Sequence, residues 1–334
     1  MNLKIQITIL FLSFNTIIMC QDGIALKDKK PQNYISYYQI CNKALELKIK
    51  GNYEASIKLY ESAFKKYYPF VKDLNELRNC YLLVNKNKLA YKITKRMILS
   101  GYKFGTKSFL IHPNQAITEI IDNKLENDTI SLKKIKKEYS SLRKKHSKNI
   151  DKEKDKYLSV IASLDRFVGA MRNKYRDDEI NEDFVSEAGF STMAELFLNL
   201  LESDMIPDRQ QSDAWDDQLK GALVHISLSI NDLNKEKIFL AKLKDHVIKG
   251  NLEPEQFAII YDQIYTRKWH NKNSYYGMTF EMIDFINDPS KIQLKIKLPE
   301  DVVNIDNKRS NIYLPPLWVW AEQKKYQLPE EYKH

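Results

Sequence analysis

Apolar residues recur at helical spacing along most of this chain. Tyr157, Val160, Ile161, Leu164, Phe167, Val168 and Met171 follow steps of 3, 1, 3, 3, 1 and 3, the wide stripe of a helix with one face in a core. Met193, Leu196, Phe197, Leu200 and Leu201 predict a second helix over about 191–203. Residues 214–231 are apolar on nearly all sides, which predicts a central helix. A helix from Phe239 to Ile248 then stops at Gly250, and another runs from Glu253 to Lys268 with Pro254 in its first turn, where a missing N–H costs nothing. After Asp288 the pattern changes. "KIQLKIKL" alternates like a short strand, and "YLPPLWVWAEQ" joins a proline break to apolar aromatics. This tail is read as packing back onto the helices, with Trp318 and Trp320 as anchors in that packing.

The N-terminal half carries a repeat. In "YYQICNKALELKIKGNYEASIKLYESAFKKYY", residues 37–68, Ile40, Ala44 and Leu47 point inward from a first helix, and Gly51 and Asn52 make the turn. Tyr53, Ile57, Tyr60, Ala63 and Phe64 line a second helix, with small residues letting the backbones approach. This pattern resembles the tetratricopeptide repeat, with Ser56 where that family favours Ala. Residues 73–103 lie one repeat further on: Asn85 falls 34 residues after Gly51, and Ala90 34 after Ser56. A degenerate third unit is read around 108–126. One copy cannot bury its own face, so stacked neighbours are needed.

Composition supports helices over a turn-rich sandwich: 43% of the 334 residues are hydrophobic and 11% aromatic, with only 9 Gly and 10 Pro. The net charge is +9, and between Ser131 and Lys156 eleven Lys or Arg face four acids, so seven of the nine charges lie there. That stretch is read as a solvated connecting helix, with no pattern of a nucleic-acid module. The opening "MNLKIQITILFLSFNTIIMCQDG" has a positive start, an uncharged apolar run from Ile5 to Met19 and a polar end, the layout of a secretory signal. Ile17-Ile18-Met19-Cys20 resembles a lipoprotein box in which Cys20 is acylated; cleavage after Cys20, leaving Gln21 first, is the alternative. Cys41 and Cys80 sit beside apolar residues in predicted helices and read as buried free thiols.

The resulting organisation is a signal over 1–20, repeat hairpins over 31–126, a Lys-rich helix over 127–156 and a helical domain over 157–334. The fold class is mainly α: tetratricopeptide-like hairpins, then a second all-α domain with an irregular C-terminal tail. From 157 to 317, Asp165, "MIP" at 205–207, His225, "IKGNLEPEQFAIIYDQI" at 248–264, "YYGM" at 275–278 and "NKRSNIYLPPL" at 307–317 resemble an uncharacterised domain of exported bacterial proteins. That family's polar landmarks are fuller. The resemblance implies a fold, not a reaction.

His225 sits in an apolar helix and reads first as a core histidine; the resemblance marks it as a functional position. His225, Asp262 and Tyr276 are the residues to test as an acid/base group. His112, His146, His225, His246 and His270 show no i, i+4 pair and no HExxH, and no phosphate cradle occurs, so no metal or cofactor is assigned. "RDDEINED" at 176–183 reads as a solvated acidic loop. Stacked hairpins leave a concave face suited to a peptide or protein. The sequence therefore predicts an exported, non-enzymatic scaffold in the periplasm or envelope, binding a protein partner through a face with Tyr53 and Tyr60. An acylated Cys20 would attach it to the membrane, cleavage after Cys20 would leave it unanchored, and no nucleic acid is expected. An enzyme of unknown reaction with a polar site in the C-terminal half is the rival reading.

Overall fold

A computed structural model of the chain describes residues 33–103, 129–174, 179–213, 217–283 and 293–333. Cys20, the predicted signal and the third repeat unit lie outside the described residues. The protein is mainly helical. Helices α1 (Ile35–Ile49) and α2 (Tyr53–Lys66) form a first hairpin, and α3 (Val71–Leu83) and α4 (Asn87–Leu99) a second. Their turns are built alike. Gly51 (φ 81°) and Asn85 (φ 57°) take the left-handed conformation, so Asn52 N–H reaches the Leu47 carbonyl and Lys86 N–H that of Tyr81, each at 2.8 Å. This closure satisfies carbonyls that a helix end otherwise leaves open.

Next come α5 (Thr129–Ser147), α6 (Lys152–Lys174), α7 (Glu179–Glu202), a short 3-10 turn (Arg209–Gln211) and α8 (Asp217–Ser229). They are followed by α9 (Leu233–Ile248) and α10 (Pro254–Gln263), which runs on into a π-helical turn, Ile264–Lys268. Strands β1 (Phe280–Ile283) and β2 (Gln293–Ile296) pair antiparallel, Phe280 opposite Ile296. The short helices α11 (Ile305–Ser310) and α12 (Leu317–Lys324) follow. As predicted, "KIQLKIKL" contains a strand and α8 is central, packing on α6, α7 and α10. The pair β1–β2 qualifies the all-α description of the C-terminal half. Among the described residues, no helix is long and apolar enough to cross a membrane.

Three expectations change. The Lys-rich stretch is not one helix: it breaks at 148–151, where the Asp151 carboxylate accepts from Lys154 N–H at 3.2 Å and starts α6 as an N-cap. Its first part, α5, is anchored on α4 through Ile98, Ile135 and Leu142. The second change concerns "RDDEINED", whose residues from Glu179 on belong to α7; acids favour the first turns of a helix, where the dipole is positive. Thirdly, the two halves do not have separate cores. One cluster of buried side chains runs from Tyr34, Tyr37 and Tyr60 through Phe197 and Phe239 to Trp320 and Tyr332.

The seam between the halves shows how. Tyr34 N–H donates to Ile248 O at 2.8 Å, and Tyr38 OH to Val247 O at 2.8 Å. The Tyr34 ring lies against Gly250, where a Cβ would come within 2.4 Å of it. Arg209 joins three segments: Nε donates to Gly250 O (3.1 Å), Nη1 to Pro69 O (3.1 Å) and Nη2 to Tyr68 O (3.0 Å), with the guanidinium 3.8 Å from the centre of the Phe70 ring. The C-terminal residues pack on α1 and α3: Tyr313 stacks on Tyr38 and accepts from Asn42 Nδ2 at 2.8 Å, Lys50 lies over Trp318, and Gln323 donates to Glu76. The repeat-like hairpins are therefore covered by the chain's own C-terminal segments.

Candidate functional site

The apolar face of α8 carries Leu219, Ala222, Leu223 and Ile226, all fully buried. That spacing turns His225 outward, and its side chain is 45% exposed. The core-histidine reading is thus corrected: α8 is central, yet this position lies on its solvent side. His225 Nδ1 stands 2.6 Å from Oδ1 of Asp165 on α6, whose side chain is 16% exposed. An ionised carboxylate can only accept, so in the neutral imidazole Nδ1 carries the proton and Nε2 keeps its lone pair. Behind the imidazole lies Phe190 of α7, ring centres 4.9 Å apart. Two residues 60 positions apart, both picked out in the sequence, meet here.

Asp262 and Tyr276 do not join them. Asp262 is fully buried and its carboxylate accepts backbone N–H groups from Tyr275 (3.0 Å), Tyr276 (2.9 Å) and Met278 (2.8 Å). Burial lifts its pKa to about 6, while the three N–H groups pull it down. Arg309, also fully buried, donates to Pro315 O at 2.8 Å and Tyr276 O at 2.7 Å, and burial lowers it to about 10. Together these two side chains shape the 275–278 loop. Tyr276 is buried against Tyr261 and Tyr275, and burial raises its hydroxyl. The roles of Asp262 and Tyr276 are architectural: the Asp262 carboxylate is spent on three backbone N–H groups, and the Tyr276 ring is packed in the core.

The face assigned to Tyr53 and Tyr60 is corrected as well. Tyr53 is half-buried, but Tyr60 is 0% exposed, inside the first hairpin beside Phe64. Its place on the inner side of α2 leaves it nothing to offer a partner. Nearby, Cys41 and Cys80 are buried free thiols, and the Ser56 hydroxyl donates to Ala44 O at 2.7 Å. That bond explains why a hydroxyl is tolerated at the small-residue position.

A set of charges along the seam has no local signature in the sequence. Lys72 Nζ lies 3.6 Å from Glu253 and 3.8 Å from Glu255; Lys220 reaches Glu253 at 3.5 Å and Lys324 reaches Glu255 at 3.1 Å. Burial works against ionisation of Glu255, yet Lys324 and Lys72 hold it well below the usual carboxylate range. Beside Lys72, Asp73 accepts from Tyr37 OH at 2.6 Å, and burial pushes its carboxyl up to about 6. Lys72 carries the set across the seam, because both of its carboxylate partners belong to the other half, while Lys220 and Lys324 hold those carboxylates from their own side. Sequence reasoning missed it because its members come from four distant segments.

A groove of about 290 Å³ opens between α7 and α9, lined by Glu195, Leu198, Asn199 and Glu202 on one side and Lys235 and Ile238 on the other. Leu198 is buried in its floor, and Ile238 is 43% exposed. Among the described residues, no three His, Cys, Asp or Glu side chains gather as a metal set. No family model matches this chain, and neither a curated protein nor a solved structure does.

Proposed function

We propose that this is an exported helical interaction protein whose repeat-like hairpins hold its own C-terminal half, and whose α7–α9 groove takes a basic, amphipathic segment of a protein partner. The observation that carries the reading is Ile238, an exposed apolar side chain opening onto that groove beside Glu195 and Glu202. An apolar anchor rimmed by charges is the usual anatomy of a recognition patch. The two carboxylates exceed the single Lys235 and favour a basic occupant. Covering of α1 and α3 by residues 313–324 moves the recognition face away from the hairpins.

The test is crosslinking and affinity capture of the tagged protein from its own cells, beside Ile238→Glu, an exposed position whose substitution leaves the fold intact. A basic partner lost in the variant supports the reading. A partner captured equally by both places recognition elsewhere, and capture of nothing by either protein rejects the scaffold function. Export is tested by the mass of the mature N-terminus. An acylated Cys20 means an envelope anchor, a start at Gln21 means a released periplasmic protein, and a retained Met1 rejects export.

A further inference from the structure

Outside the groove, the pairing of His225 with Asp165 stands apart from everything the interaction reading uses. A surface histidine held by one hydrogen bond at Nδ1 and open at the other nitrogen has a fixed tautomer and a fixed ring plane. Phe190 backs the imidazole on the core side, so the ring is braced by an apolar neighbour and a carboxylate from two other helices. Neither partner occupies Nε2. A lone pair presented this way is the reactive half of the histidine units that move protons and acyl groups.

We propose that His225 is a reactive imidazole that hydrolyses activated carboxylic esters, with Asp165 as its positioning residue. The substrate class follows from the surroundings. His225, Asp165 and Phe190 all lie within helices, whose backbone N–H groups are committed to helical bonds. The ester's own leaving group must therefore carry the developing charge, which selects activated esters. A phenolate is such a leaving group, so the class is that of aryl esters. In the step, Nε2 attacks the acyl carbon, the bond to the leaving oxygen breaks and the phenolate departs. The acyl imidazolium is stabilised by Asp165 at Nδ1–H. Water then adds to the acyl carbon, the C–N bond breaks, and a carboxylate and two protons leave with the neutral imidazole restored.

The experiment uses the mature protein with p-nitrophenyl acetate, alongside His225→Gln and Asp165→Asn, with folding of each checked by circular dichroism. His225→Gln is expected to lower the release of p-nitrophenolate at least about tenfold. Asp165→Asn should give a smaller loss. Nitrogen NMR of the unsubstituted protein reads the tautomer without any variant: a proton on Nδ1 is expected, and its redistribution to Nε2 in Asp165→Asn marks the positioning role that a merely structural carboxylate would not have. Equal rates in all folded proteins, or a proton on Nε2 of the unsubstituted one, overturn the proposal.

Discussion

Tyr60 and Asp73 show what single side chains contribute inside the first hairpin. The Tyr60 hydroxyl is buried, and among the described residues no group bonds it. Tyr60→Phe removes an unsatisfied polar group and is expected to be neutral or slightly stabilising, within about 0.5 kcal/mol. Tyr60→Ala leaves a cavity and should cost about 3–5 kcal/mol; denaturant midpoints of the two variants check both values. Asp73 links the hairpin to pH. Its pKa rises from 3.8 to about 6 on folding, so the folded protein holds that proton more tightly than the unfolded chain. The stability this confers is fully present below 3.8 and lost as pH rises through about 6. Relative to Asp73→Asn, the unsubstituted protein should therefore lose on the order of 2–3 kcal/mol between pH 4 and 7, measured by urea unfolding at each pH. At this scale the sequence was informative where packing is local: the free thiols Cys41 and Cys80 and the turn residues Gly51 and Asn85 were legible. The exposure of His225 was readable in principle, because Leu219, Ala222, Leu223 and Ile226 define the opposite face of its helix. Its pairing with Asp165 was not, since nothing local encodes a contact across 60 residues.

Among the elements, the 3-10 turn carrying Arg209 has the largest reach for its size. Its guanidinium donates to carbonyls of two segments from different halves, and such charged donors are among the stronger hydrogen bonds. Arg209→Ala should cost about 3 kcal/mol or more and Arg209→Lys nearly as much, because a single ammonium does not span three carbonyls. Thermal unfolding gives the cost. Hydrogen exchange at Tyr34 N–H, which bonds Ile248 O across the same seam, shows where protection is lost first. Helix existence was legible from apolar periodicity. The helix ends were less so: α6 begins at its Asp151 cap and α7 begins within an acidic run, and both signals resemble a loop when read without their tertiary neighbours. Strand β2 showed its alternation, whereas β1 took shape only through pairing.

For the molecule as a whole, one core runs from Tyr34 to Tyr332 through both of the expected domains. Calorimetry should then show one cooperative transition with matching calorimetric and van't Hoff enthalpies; two resolved transitions would restore independent halves. The two-domain reading came from a change of pattern, repeat hairpins before the Lys-rich stretch and a new apolar helix stripe from Tyr157 after it, and neither pattern registers the ion pairs and tyrosines that join the halves. The stacking of Tyr313 on Tyr38 also has a consequence in time. Asn42 waits for a carbonyl 271 residues further along the chain, so during synthesis α1 leaves the ribosome long before the surface that will cover it exists. Contacts of such sequence separation form late. A nascent chain halted anywhere before Tyr313 carries an uncovered aromatic face, and quality control meets that face before any partner does.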